Sequence, residues 1–181
     1  MNFIVGLGNP GLEYQNSRHN VGWMLVDFLR SAWDMPEFIY QKKQHSDISK
    51  DTHNTLIKPQ TFMNKSGEAV VQVFNWRDRE ALHSREFDDL FVVHDDLDLE
   101  FGTYKIKFGS GPKIHNGVNS IRQELNTDQF WYVRIGVDSR SGDRRMPGQK
   151  YVLSRFGHEE SQRLKEVFHQ IEERLLQLIK Q

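Results

Sequence analysis

The sequence predicts an α/β fold, a sheet with helices on both faces, as one domain over residues 1–181. Three observations carry that reading. Short apolar runs alternate along the chain with segments of helical periodicity. The length suits a single sizeable core. No internal repeat, low-complexity tract or linker divides the sequence.

The elements follow in order. Residues 2–7 form a short apolar run that reads as a buried strand. Val21, Met24, Leu25, Phe28 and Leu29 recur at helical spacing within residues 20–33. Residues 34–53 are polar with weak periodicity, and no element is assigned there. Residues 54–58 read as a strand ending at Pro59. Ser66 is the expected N-cap of a helix that turns Val70, Val73, Phe74 and Trp76 inward. Residues 90–93 form an apolar strand that ends in an acidic turn, His94-Asp95-Asp96-Leu97-Asp98. Residues 103–108 alternate Tyr104, Ile106 and Phe108 with Lys105 and Lys107, the period of a half-exposed strand. A loop at 109–117 then opens a helix through Val118, Ile121 and Leu125. Residues 131–137 make a further strand, and 139–149 a basic loop. Leu164, Phe168, Ile171, Leu175 and Leu178 mark a terminal amphipathic helix over 159–179.

Composition narrows the function. The chain has no cysteine, which excludes disulfides, thiolate metal sites and a cysteine nucleophile. No stretch is apolar enough for a membrane span and no secretory signal is visible, so a cytoplasmic enzyme is expected. The net charge of −1 hides an asymmetry. Residues 101–150 carry nine Lys and Arg against four acids, while the remainder carries 15 against 21. A basic stretch on an acidic protein suits a phosphate backbone, although a solvated face would look the same.

Gly6, Gly8 and Gly11 match the spacing of a dinucleotide-binding fingerprint. The context disagrees. Pro10 precedes Gly11, polar residues run on to Arg18, and the acid that should end a second strand is Asp27, in mid-helix. Nucleophile-elbow, zinc-protease and P-loop patterns are missing. The acidic turn 94–98 lacks the further ligands of a calcium loop and reads first as a solvated turn.

What remains is a set of polar residues at the ends of expected strands: Asn9, His19, Asn64, Asp95, His115 and Asn116. Each alone could be a turn former or a helix cap. Together they gather at the carboxyl edge of the sheet, where α/β proteins bind ligands. A histidine can take a proton from water, a carboxylate can fix its tautomer, and asparagine amides can donate to a developing oxyanion. That chemistry is hydrolysis of an activated acyl bond, with neither metal nor covalent intermediate.

At these residues the chain resembles the bacterial-type peptidyl-tRNA hydrolase family. The matching blocks are residues 5–11, Tyr14, 18–22, 58–67, 93–99, 115–117, 134–136 and 151–156, in family order. The resemblance implies a twisted mixed β-sheet flanked by helices, a phosphorylase/hydrolase-like sandwich. It implies cleavage of the ester joining a peptide to the terminal ribose of tRNA after ribosome drop-off, by a monomer without a cofactor. By position, His19 would be the general base, Asp95 its orienting partner, and Asn116 the residue holding water or oxyanion. Asn9 and Asn64 would position substrate, and Tyr14, Phe62, Met63 and His115 would line the cleft. Lys107 and Arg134 would clamp the tRNA 5′ phosphate, and both lie in the basic stretch. The chain departs from the family in three places. Gly111-Pro112-Lys113-Ile114 replaces a glycine-rich run, Ser17 replaces a threonine, and the part after Phe156 is short. The competing readings are a non-catalytic RNA-binding relative and a metal-assisted hydrolase using Asp95, Asp96 and Asp98.

Overall fold

A computed structural model of the chain describes residues 1–75, 87–143 and 145–179. Its centre is β1 (Asn2–Gly6), buried along its whole length. On one side β1 pairs in parallel with β4 (Asn54–Pro59), on the other with β5 (Phe87–Glu100). β5 pairs in parallel with β7 (Phe130–Asp138), and β6 (Tyr104–Phe108) closes that edge antiparallel to β7. On the opposite edge β3 (Ser46–Lys50) runs antiparallel to β4, and β2 (Ile39–Gln41) antiparallel to β3. The order is β2-β3-β4-β1-β5-β7-β6, a mixed seven-stranded sheet.

The central strands are buried on both faces, so their sequences are continuously apolar, and alternate side chains supply two cores. Ile4, Phe91 and Val93 face α1 (Val21–Ala32) and α5 (His158–Leu178), where Leu25, Leu29, Phe168 and Ile171 meet them. Phe3, Val5, Leu90 and Val92 face α2 (Ser66–Asn75) and α3 (Asn116–Leu125), against Val70, Phe74 and Ile121. Each such aliphatic side chain, fully buried, stabilises the fold by about 1.5–3 kcal/mol. A four-residue helical turn, α4 (Gly148–Tyr151), precedes α5. No helix among the described residues is long and apolar enough to cross a membrane.

Several expectations need correction. The polar stretch 34–53 holds β2 and β3. β2 exposes all three residues and lies at the sheet edge, so it has no apolar period to read. Residues 94–98 are not a solvated turn. They continue β5, paired to β7 in the register His94–Arg134, Asp95–Ile135 and Asp96–Gly136. The ladder satisfies their backbone, and partners from other segments neutralise their buried carboxylates. Ser66 is the first residue of α2, not its cap, and its hydroxyl donates to the carbonyl of Met63 at 2.9 Å. The basic loop 139–149 gives way to helix at Gly148. Trp76 lies outside the described residues.

The glycines of the opening block serve close packing. A Cβ on Gly6 would lie 2.4 Å from the carbonyl oxygen of Gly22, and one on Gly22 would lie 2.5 Å from the amide nitrogen of Leu7. The strand end and the first turn of α1 therefore meet backbone to backbone. Gly11, at φ +116°, makes the turn that only glycine adopts without strain.

Candidate active site

The carboxyl ends of β1, β4 and β5 and the N-terminus of α3 surround a cleft of about 870 Å³. His19 enters it from a 3-10 turn, Arg18–Asn20, just before α1. That turn is anchored by the segment ahead of α5. The His19 amide donates to the carbonyl of Val152 at 2.8 Å, and the Arg18 amide to that of Ser154 at 3.0 Å. The buried Arg18 guanidinium donates to the Arg155 carbonyl at 2.8 Å and to Glu160 Oε1 at 2.6 Å. It also stacks 4.6 Å from the Tyr151 ring centre and 4.8 Å from that of Phe156.

Asp95 joins two imidazoles. Its Oδ1 lies 2.7 Å from His19 Nδ1 and 2.9 Å from His115 Nε2. His115 caps α3, and its Nδ1 accepts from the Val118 amide at 3.3 Å. The proton of neutral His115 therefore sits on Nε2 and is donated to Asp95, an assignment made from the hydrogen-bond network. The same logic puts a proton on His19 Nδ1, which leaves Nε2 as the basic atom. The His19 side chain is 14% exposed. Burial opposes its protonation, but the charge and hydrogen bond of Asp95 outweigh burial and raise its pKa above the ordinary 6.5. Burial likewise works against the Asp95 carboxylate, and the two histidines overcome it, holding Asp95 well below the usual carboxylate range.

His94, beneath this pair, is fully buried. Its Nδ1 donates to the Asp95 carbonyl at 2.8 Å, and its ring meets His115 edge-on at 4.9 Å. Burial, and then the neighbouring His115, push its pKa down to about 3, so it stays neutral.

Asn9 is held on two sides. Asn20, wholly buried, accepts from the Asn9 amide and donates to the Asn9 carbonyl, each at 2.9 Å. Asn9 Oδ1 accepts from the Met63 amide at 2.8 Å. With its oxygen so used, Asn9 offers the cleft its Nδ2 donors. Asn64 lies in the next 3-10 turn, Met63–Lys65, and Asn116 is the first residue of α3; both are exposed at the cleft wall. The helix amides add a partial positive charge at that wall.

The sequence profile of the family described as Peptidyl-tRNA hydrolase matches residues 3–181. The chain belongs to the peptidyl-tRNA hydrolase family. It is 40% identical over 169 residues to the peptidyl-tRNA hydrolase of Neorickettsia sennetsu, covering 91% of this chain and 80% of that one. It is 39% identical over 173 residues to that of Bifidobacterium animalis subsp. lactis, covering 90% and 83%. The crystal structure of peptidyl-tRNA hydrolase from Acinetobacter baumannii superposes with a TM-score of 0.80 at 25% identity, over 99% of this chain and 92% of that chain.

Against the residues that the family resemblance singled out, the structure brings Asn9, His19, Phe62, Met63, Asn64, Asp95, His115 and Asn116 to one cleft. Tyr14 stands apart from them. It sits half-buried in the turn between β1 and His19, its amide on the Gly11 carbonyl, and is not among the cleft-lining residues. Lys107 is on β6 and Arg134 on β7, where Arg134 reaches the cleft-lining Asp96. Arg134 Nε donates to Asp96 Oδ2 at 2.6 Å. Lys105 lies directly opposite Arg134 and shares a face with Lys107. Three residues with positions in this network had been given no role: Asn20, Arg18 and Lys105. The flanking of His19 by a second asparagine was the one visible signal for Asn20.

Asp95 is bonded to two histidines, while Asp96 accepts from Arg134 and from the Asp98 amide at 2.9 Å. Among the described residues, the group with converging donor atoms is His19, Asp95 and His115, and those atoms already bond one another.

Proposed function

We propose that this chain hydrolyses the ester between a peptide, or an N-blocked aminoacyl group, and the 3′-terminal ribose of tRNA, with His19 as general base. The Asp95–His19 hydrogen bond at the wall of an open cleft carries the reading. His19 Nε2 takes a proton from water as the oxygen attacks the ester carbonyl, and Asp95 stabilises the imidazolium. Asn116 and the amides at the start of α3 donate to the tetrahedral oxyanion. Collapse breaks the bond to the ribose oxygen, which receives the proton from His19. The products are a free peptide carboxylate and tRNA.

The Asn9 Nδ2 donors and Asn64 orient the peptide, with Phe62, Met63 and His115 as walls. Lys107 and Arg134, with Lys105 beside them, hold the 5′ phosphate and acceptor arm. Neither metal nor cofactor takes part. The same reading has residues 1–181 act as one domain, as a monomer in the cytoplasm.

The test is cleavage of N-acetyl-aminoacyl-tRNA in EDTA by the parent and by His19→Ala. The parent is expected to cleave and the variant to lose about 10²–10⁴-fold in rate. No cleavage by the parent, with tRNA still bound, would instead support the RNA-binding relative. Equal cleavage by both would remove His19 as the base.

A further inference from the structure

β1 leaves β5 at the point where the cleft opens. Its last paired residue is Gly6, opposite Val93, and the Leu7 amide donates to the Val93 carbonyl at 2.9 Å. Carbonyls of alternate strand residues point to the same edge, so a longer β1 would bring the Asn9 amide to the carbonyl of Asp95. The chain turns away instead, and the Asn9 amide donates to Asn20 Oδ1 at 2.9 Å. The Asp95 carbonyl is the other half of that unmade pair, and His94 serves it, with Nδ1–H donating at 2.8 Å. The proton is assigned to Nδ1 from this contact. The imidazole is completely buried and does not line the cleft. Its Nε2 meets no hydrogen-bond partner among the described residues, so the polar service of the side chain is the single donation from Nδ1. Around the ring stand His115, edge-on at 4.9 Å, Tyr132 at 6.5 Å and, opposite on β7, Arg134.

We infer that His94 is a positioning residue for the hydrolysis: by holding the Asp95 carbonyl, and by backing the His115 ring, it fixes the Asp95 carboxylate against His19 without touching substrate. This rests on the hydrolase reading above. Asp95 Oδ1 must meet His19 Nδ1 at 2.7 Å and His115 Nε2 at 2.9 Å together. On the β7 side the ladder holds this stretch of β5. On the β1 side the Asp95 carbonyl depends on His94. A buried carbonyl without a donor is costly, so its peptide would turn to find one, and the carboxylate would swing with it. A displacement of about 1 Å at such a group costs about 10²-fold in rate.

The experiment measures kcat, KM, the pH profile of kcat/KM and the thermal midpoint for the parent, His94→Phe and His94→Asn, with N-acetyl-aminoacyl-tRNA as substrate. Phenylalanine keeps the ring and removes the donor. Asparagine loses the ring but places an amide N–H where Nδ1 stood. His94→Phe is expected to lower kcat by about 10²-fold at unchanged KM, and to move the acid limb to lower pH because a displaced Asp95 sustains the imidazolium less well. His94→Asn should recover most of the kcat and the parent's acid limb, although it is the less stable of the two, since it leaves the volume of the ring unfilled. A side chain needed for packing alone predicts the reverse order, with the better-filled His94→Phe more active. That order, or a His94→Phe variant with the parent's kcat and acid limb, would overturn the proposal. If the parent cleaves no ester, the hydrolase reading falls by itself. The hold on Asp95 is then read from the His19 imidazole by NMR titration, where its pKa should drop in His94→Phe and not in His94→Asn; equal values in all three proteins would overturn it.

Discussion

The two walls of the cleft are built on opposite terms. On the His19 side the main polar groups are held within the protein: Asp95 serves two histidines, Asn20 brackets Asn9, and Arg18 ties the turn to the segment before α5. On the other side Asn64, Asn116, Phe62 and Ile114 stand open to solvent. Groups that move a proton need a fixed tautomer and direction before substrate arrives, whereas groups that grip substrate must still have bonds to make. Rigidity is concentrated where a small displacement is most costly.

Asp95→Asn should break the rigid wall most deeply. The variant removes the charge that sustains the imidazolium and lets the ring take the wrong tautomer, with an expected loss of about 10²–10⁴-fold in kcat. The pH profile sharpens the point. The base must be neutral, so kcat/KM in the parent should rise with pH through a His19 pKa above 6.5. Without Asp95 the imidazolium is less stable, and the acid limb should move to lower pH. An unmoved limb would separate His19 from Asp95 functionally.

Asn20→Ala touches no substrate, yet it frees both backbone contacts of Asn9. A site displaced by about 1 Å can lose about 10²-fold, and the buried groups left unpaired cost about 1–3 kcal/mol on denaturation. Activity near that of the parent would show that Met63 alone suffices to hold Asn9. Arg18→Met should lower stability by about 1–3 kcal/mol, because Glu160 keeps Ser139 and Gly157 but loses its ion pair. Urea denaturation measures it, and a change below 1 kcal/mol would reduce the network to a surface contact. The smallest effect belongs to Lys105→Ala on β6, opposite Arg134. Its expected signature is a tRNA-binding salt slope shallower by about one, with chemistry on short acyl-nucleoside substrates unchanged.

Sequence legibility follows the same division. β1, residues 90–93 of β5, α1 and α5 are readable because burial on both faces makes the strands continuously apolar and burial on one face gives the helices a period. β2 is not, because its residues are all exposed. The acidic stretch misled for a different reason. Its charges are paid by partners far along the chain, His19 being 76 residues from Asp95 and Arg134 being 38 from Asp96. A local reading sees carboxylates and assigns them to water. The candidate residues themselves were visible as types at strand ends, while the assistants, Asn20 to Asn9 and Arg18 to His19, emerge only when contacts are seen. Arg18 and Asn20 flank His19 in sequence but hold different segments, Arg18 the stretch ahead of α5 and Asn20 the loop after β1.

The anchoring of His19 by Val152, Ser154, Arg155 and Glu160 has a consequence for the order in which the molecule comes into being. The histidine is made well before its moorings, which lie more than a hundred residues further along the chain. During translation the emerging chain carries His19, and later Asp95, without the arrangement that makes them a site. The site waits on residues 152–160, and until that segment docks the growing chain holds the ingredients of a hydrolase without its reactivity.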